Sequence, residues 1–368
     1  MLPFAAMAIR SLCITEGADR PTLATFIGMH EAGIEVTVVC PASHPNYKAL
    51  LAAGIPVIDI PLRKNFDKAG AGLLRQELLR GRYHLIHTFN SRALTNGLRA
   101  AKGLSLKVVA YRGIVGNVSF LDPMSWKRYL NPRIDRIVCV CEAIRRYFLQ
   151  MRPAFLRMPA TRPVTIHKGH SLEWYTDAPV DLQSAGIPAD AFTIACTAAY
   201  RPRKGIEYLI AAVELLPPDV PAHLVLIGHM DAARLDKRIQ QSSASARIHR
   251  VGFQSNAPAW TAACDVFCLP STKREGLARA IIEAMAYRVP PVVTDSGGSP
   301  ELVVDGECGF VVPIKDPQAL ADAFEKLYRD PELRIALGSA ARDRIATEFR
   351  NEDTVRETIA LYEEVLGG

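Results

Sequence analysis

A chain of 368 residues is too long for one ordinary hydrophobic core and calls for two domains, which its 49% hydrophobic content can fill with well-packed interiors. No run of eighteen apolar residues occurs, which excludes a spanning helix; the eight cysteines show no Cys-x-x-Cys pair and no zinc spacing, and they read as reduced core thiols of a cytosolic protein. The net charge of +6 hides a split, because residues 1–180 carry 24 Lys and Arg against 12 Asp and Glu, while the remainder carries 20 against 26.

The opening MLPFAAMAIRSLCITEG lacks the long apolar region and cleavage site of a signal peptide and reads as a first buried strand, Met7 to Ile14. Apolar, β-branched runs then alternate with helical stretches: EVTVVCP at 35–41, IPVIDIP at 55–61, HLIHTF at 84–89, KVVAY at 107–111 and RIVCVC at 136–141. That rhythm predicts a parallel sheet covered by helices. His87 reads as structural, and His170 as a turn residue. Basic residues are densest from Lys127 to Lys168, where ten of them meet only Asp135 and Glu142. Within this stretch Ile144, Tyr147, Phe148 and Met151 recur at i, i+3, i+4 and i+7 beside Arg145, Arg146 and Arg152. The pattern suits an amphipathic helix on an anionic surface, and equally a core-facing stripe under a solvated basic face. The charge imbalance calls for an acidic partner, either a phospholipid surface or a phosphorylated glycan. Nucleic acid is not expected, since no such motif occurs and the other half is acidic.

The polar segment TDAPVDLQSAGIPADA at 176–191 interrupts the pattern, and a second series follows: FTIACTA at 192–198, then AHLVLIG, IHRVGF, DVFCLP, PPVVT and GFVVP. Two doubly wound α/β domains are expected, residues 1–180 and 181–345, joined at about 176–191. Residues 346–368 supply a last helix, roughly Asp353 to Leu366, packing back on the first domain. In such sheets ligands bind at the carboxyl ends of strands, so the functional loops should face one another across an interdomain cleft.

The most informative stretch is PSTKREGLARAIIEAMAYRVPPVVTDSGGSPE, in which Glu275 and Glu283 stand eight residues apart. Gly276 permits a tight turn, and apolar spacing predicts a helix starting at about Gly276 and running from Leu277 to Tyr287. Its unpaired first amides and positive dipole end suit a pyrophosphate. Eight residues of helix rise about 12 Å, so two carboxylates could bracket a diphosphate, Glu275 at a sugar and Glu283 on vicinal ribose hydroxyls. The plain alternative is a solvated helix with ordinary surface glutamates. RPRKG at 201–205 reads either as an exposed basic turn or as a phosphate-facing one. No Asp-x-Asp sequence occurs, so no metal site and no cofactor is expected.

Taken together, RPRKGIEYLIAA at 201–212, LVLIG at 224–228, VGF at 251–253, CDVFCLPS at 264–271, the spaced glutamates and GGSPELVVDGECGFVVP at 297–313 resemble glycosyltransferase family 4, including its lipopolysaccharide-core members. The N-terminal half is similar more loosely, through LIHTFNSRA at 85–93 and VCVCEAIRRY at 138–147. The resemblance implies the GT-B fold and retaining transfer of a sugar from a nucleoside diphosphate donor, commonly UDP-linked, to a glycan or lipid-linked acceptor. It assigns Glu283 to the ribose, Glu275 to the sugar, and Lys204 with a nearby arginine to the diphosphate. The usual arginine position before the lysine holds Ala198 and Ala199, so Arg203 matches the variant pattern and Arg201 stands in reserve. Gly17 represents the usual glycine pair after the first strand, and Arg112 occupies the place of a histidine near the reacting carbon. Gly276 and Leu277 complete the donor set. The competing expectations are a sugar-nucleotide epimerase and a silent sensor or assembly partner of the same fold. The reduced thiols and the basic N-terminal domain lead to the expectation of a cytoplasmic enzyme, peripheral on the inner membrane face.

Overall fold

A computed structural model describes residues 8–153 and 155–367. The chain forms two compact units. Among the described residues the first runs to Gly169 and resumes at Arg350, and the second is His170–Phe349. The division therefore falls at Gly169 and Phe349 rather than at residues 180 and 345.

Among the described residues the first unit holds seven parallel strands, β1 (Arg10–Ile14), β2 (Glu35–Val39), β3 (Val57–Ile58), β4 (Leu85–Thr88), β5 (Lys107–Arg112), β6 (Arg136–Cys139) and β7 (Pro163–Thr165), in the order β3-β2-β1-β4-β5-β6-β7. Met7, expected in the first strand, lies outside the described residues. The run at 55–61 shrinks to two paired residues at the sheet edge, and β7 is an element the apolar runs did not announce. The final helix, Asn351–Leu366, returns to this unit and packs on the helix Arg20–Glu31. Its Leu361, Tyr362 and Val365 join Cys13, Val36, Val38, Leu85 and Val109 in one core.

The helix Glu142–Leu149 carries the stripe read from the sequence, and the core-facing alternative holds. Ile144 and Phe148 are buried, as is Met151 just beyond the helix, while the Tyr147 hydroxyl donates to the Val118 carbonyl. The Ile144, Phe148 and Met151 side chains of the stripe thus face the protein interior.

The second unit holds β8 (Phe192–Thr197), β9 (Ala222–Ile227), β10 (Ile248–Gly252), β11 (Val266–Leu269), β12 (Pro291–Thr294) and β13 (Phe310–Val312), all parallel, in the order β10-β9-β8-β11-β12-β13. Its strands are continuous apolar runs because both faces are covered. Ile194, Cys196, Leu224 and Leu226 pack to one side, while Ala195, Val225 and Ile227 pack to the other, as the alternation of a pleated strand requires. The segment 176–191 is no linker. Val180 donates its amide to Ala259, and Ile187 is buried in the second unit's core. All eight cysteines are buried thiols outside any disulfide.

Candidate functional site

In the second sheet the strand order reverses between β8 and β11, so the loops leaving their carboxyl ends diverge and open a crevice. After β8 the chain turns through Pro202–Lys204, and Gly205, at φ 71°, caps the turn and starts the helix Ile206–Leu215. A Cβ on Gly205 would lie 2.0 Å from the Pro270 carbonyl oxygen, so only glycine lets this turn meet the loop after β11. Thr272 ties the two loops together by donating its amide to the Arg203 carbonyl at 2.8 Å.

That approach assembles a charged cluster. The Lys204 ammonium donates to Glu275 Oε1 at 2.8 Å, the Ser271 hydroxyl donates to the same oxygen at 2.7 Å, and Arg203 Nη1 lies 3.5 Å from it. Glu275 is only 5% exposed, and the protein donors converge on one of its two oxygens. Its Oε2 remains able to accept from a ligand hydroxyl. The loop bearing it is fixed from a third side: Gly297, at φ 61°, lies against the Glu275 backbone, where a Cβ would stand 2.0 Å from the carbonyl oxygen. Arg201 is exposed and apart from the cluster, so the geometry favours Arg203 of the two candidates.

The helix expected at Gly276 begins at Arg279 and ends at Ala286. Gly276 and Leu277 therefore belong to the connecting loop, where Gly276 is buried and Leu277 packs against the core. The two glutamates do not share a helix. Glu275 precedes it, and Glu283 stands on its second turn, paired with Arg279 at 3.1 Å. Glu283 also lines a cavity of about 460 Å³ at the carboxyl ends of β8, β9 and β10, together with Thr197, Gly228, His229, Phe253 and Arg279. His229 and Phe253 stack at 4.9 Å between centroids with 12° between planes, and Phe253 keeps 65% of its surface exposed. An exposed aromatic face beside a carboxylate suits a planar base joined to a ribose.

Gly17 and Arg112 lie in the first unit. Gly17 lies exposed after β1, in a loop held by Thr15, whose hydroxyl accepts from the Gly17 amide at 3.1 Å, and a Cβ there would meet the His44 ring. Nearby Asp19 caps the helix Arg20–Glu31 and takes both its oxygens to within 2.6 Å of the Lys168 ammonium. Burial pushes the Asp19 carboxyl up, but Lys168 and Thr22 outweigh it and hold the group below its usual range. Arg112 ends β5, buried, with Nε donating to the Ile114 carbonyl at 3.0 Å, a second nitrogen donating to the Gly116 carbonyl, and its plane over the Tyr129 ring. His87 is buried and hydrogen-bonded to the Tyr362 hydroxyl, and burial lowers its imidazole to about 3. That is the structural role expected of it.

Two family descriptions together match most of the chain: "Glycosyl transferases group 1" over residues 177–344 and "Glycosyltransferase Family 4" over residues 17–174. A Rhizobium meliloti protein, the lipopolysaccharide core biosynthesis mannosyltransferase LpsB, is 32% identical over 258 residues, which is 66% of this chain and 69% of that one. The chain belongs to glycosyltransferase family 4. EpsD of Bacillus subtilis is 31% identical over 220 residues, 58% of this chain, and the match spans only 57% of the EpsD length. Among solved structures, Anabaena HepE in complex with UDP and glucose has a TM-score of 0.79 at 21% identity, covering 97% of this chain and all of that one. The fold is that of the GT-B glycosyltransferases.

Sequence reasoning named Lys204, Arg203, Glu275 and Glu283, which the structure brings to this crevice and its cavity, but not Ser271 or His229, which stand beside them. Ser271 stands at the end of CDVFCLPS, and a hydroxyl after an apolar strand is a faint signal. His229 follows LVLIG, and nothing in spacing alone pairs it with Phe253.

Proposed function

We propose that the protein is a retaining, metal-independent glycosyltransferase that moves a sugar from a nucleoside diphosphate donor, UDP-linked in the first instance, to a hydroxyl of a cell-surface glycan or lipid-linked acceptor of the lipopolysaccharide type. The observation that carries this reading is the convergence of Lys204, Arg203 and Ser271 on the buried Glu275 at the strand-order reversal, next to the cavity that holds Glu283 and Phe253. HepE was solved with UDP, and LpsB bears the name of a lipopolysaccharide core enzyme; both support the choice of donor and acceptor class.

In this mechanism Phe253 stacks on the base, Glu283 accepts from the ribose hydroxyls and Glu275 accepts from a sugar hydroxyl through Oε2. Lys204 and Arg203 face the diphosphate. Charge grows on that group as the glycosidic bond breaks, and cations already fixed by Glu275 stabilise it without reorganising. The departing phosphate oxygen takes the acceptor proton while the acceptor attacks from the same face. The protein's share is therefore position and charge, with Gly17 approaching the donor by its backbone and Arg112 supplying fixed charge. Peripheral attachment to the cytoplasmic membrane face belongs to the same proposal, with exposed Leu121 and Trp126 beside Lys127 as its contact in place of the buried 144–151 stripe.

Calorimetric titration with UDP, GDP and ADP, with and without magnesium, tests the reading. Selective, magnesium-independent binding of one nucleotide is expected. Binding to none would favour the silent sensor or assembly partner.

A further inference from the structure

A second cavity, of about 170 Å³, lies in the first unit at the carboxyl end of β5, walled by Ser91, Arg112, Asn117, Asp122, Arg128 and Tyr129. Its walls are set by bonds within the protein. Arg112 draws the Ile114 and Gly116 carbonyls inward, the Tyr147 hydroxyl holds Val118, and Trp126 Nε1 donates to the Phe120 carbonyl at 2.8 Å. The only carboxylate on the wall, Asp122, is committed to its own turn: Oδ1 accepts from the Met124 amide at 3.0 Å, and Oδ2 accepts from the Ser125 amide at 3.1 Å and hydroxyl at 2.7 Å.

Arg128 is different. Its Nε is buried and has no hydrogen-bond partner among the described residues. A buried guanidinium donor without an acceptor is unfavourable, and Asp122, although its charge attracts Arg128, accepts three bonds within its own turn and none from that nitrogen. With two guanidinium groups against one carboxylate, the wall disfavours a cation. A neutral sugar would leave the charge unmatched. Regional composition agrees, since the first 180 residues carry twice as many basic as acidic side chains.

We propose that this cavity is an oxyanion subsite, taking a phosphate or carboxylate borne by the acceptor, with Arg128 as its charged donor and Ser91 and Asn117 as neutral partners. The inference rests on the glycosyltransferase reading and deepens it, by making the acceptor an acidic one.

The probe is inorganic phosphate, titrated calorimetrically into the full-length protein saturated with UDP, so that the diphosphate site is filled. Saturable binding is expected. Arg128→Gln should weaken it about tenfold or more, Arg128→Lys should recover part of the loss, and both variants should keep the wild-type UDP affinity and melting temperature. Glucose 6-phosphate or glucuronate displacing phosphate, with glucose inert, would place the oxyanion on a soluble sugar. Displacement by phosphatidylglycerol vesicles alone would place it on a lipid headgroup. Equal phosphate affinity in wild type and Arg128→Gln, or no saturable binding, overturns the proposal. Failure to bind UDP would count against the donor reading alone; the phosphate titration is then run on Lys204→Met protein, where dependence on Arg128 still decides.

Discussion

Replacing Lys204 by methionine keeps most of the side-chain volume and removes the ammonium. In the wild type that ammonium sits 2.8 Å from Glu275 Oε1, with side-chain exposures of 17% and 6% for the two partners. Removing one member of a buried pair leaves an uncompensated charge and costs about 3–5 kcal/mol. Arg203 at 3.5 Å and the Ser271 hydroxyl remain to support the carboxylate, so the low end, about 3 kcal/mol, is expected. In a unit of the size of His170–Phe349, each kcal/mol moves the melting temperature by about 2–4 °C, which predicts a fall of roughly 6–12 °C. Adding Glu275→Gln should return about 1–2 kcal/mol, because a neutral amide does not need the lost cation. The assay is a double-mutant cycle by urea denaturation and calorimetry, with UDP affinity measured in parallel. If Lys204→Met melts with the wild type and the cycle shows no coupling, the two groups are not a buried pair. The account of a preorganised diphosphate site then fails with it.

Glu283→Ala should weaken UDP binding about 10–100-fold, the value of a carboxylate accepting from two hydroxyls, and the variant should bind UDP and 2′-deoxy-UDP alike; continued discrimination between them would place the ribose elsewhere. Gly297→Ala puts a methyl 2.0 Å from the Glu275 carbonyl oxygen and should lower melting temperature and donor turnover together. Gly306→Ala, also at positive φ but with open space around it, should cost about 1 kcal/mol and leave turnover alone. Equal behaviour of the two alanine variants would refute the idea that Gly297 positions Glu275. His87, held neutral by burial with its imidazole near 3 rather than 6.5, gives stability that is complete above pH 6.5 and lost as pH falls toward 3. The unfolded chain binds the extra proton in that window, so stability should drop by about 1.4 kcal/mol per pH unit. His87→Gln should flatten this slope, and parallel acid limbs for the two proteins would show that other groups set it.

Strand existence was legible because parallel strands buried on both faces must be apolar throughout, and runs such as FTIACT and HLVLI have no other use for so many β-branched residues. Strand β7 was not legible. Pro163–Thr165 is three residues long at a sheet edge, and its proline offers no amide to a ladder. The unit boundary was misplaced because 176–191 looks like a linker in composition, whereas Ile187, fully buried, with Leu182, Ala185 and Ala191 partly buried beside it, binds it to the second core. One buried residue in sixteen leaves no periodicity to read.

The site shows the same division between what residue type reveals and what only packing reveals. Lys204 and Glu275 were identifiable as charges beside glycines, but the sequence account joined Glu275 to Glu283 through a shared helix, and the structure gives the helix to Glu283 alone. What positions Glu275 is instead two close backbone approaches from distant segments, Gly205 against Pro270 and Gly297 against Glu275 itself. Neither contact has a side chain to reveal it. A glycine that serves as the absence of a clash looks the same in sequence as a glycine that merely ends a turn. Gly297 and Gly306 illustrate this, being nine residues apart and both at positive φ, yet only one is crowded. The charges in the motif thus state what the site can bind, while the glycines decide where those charges stand.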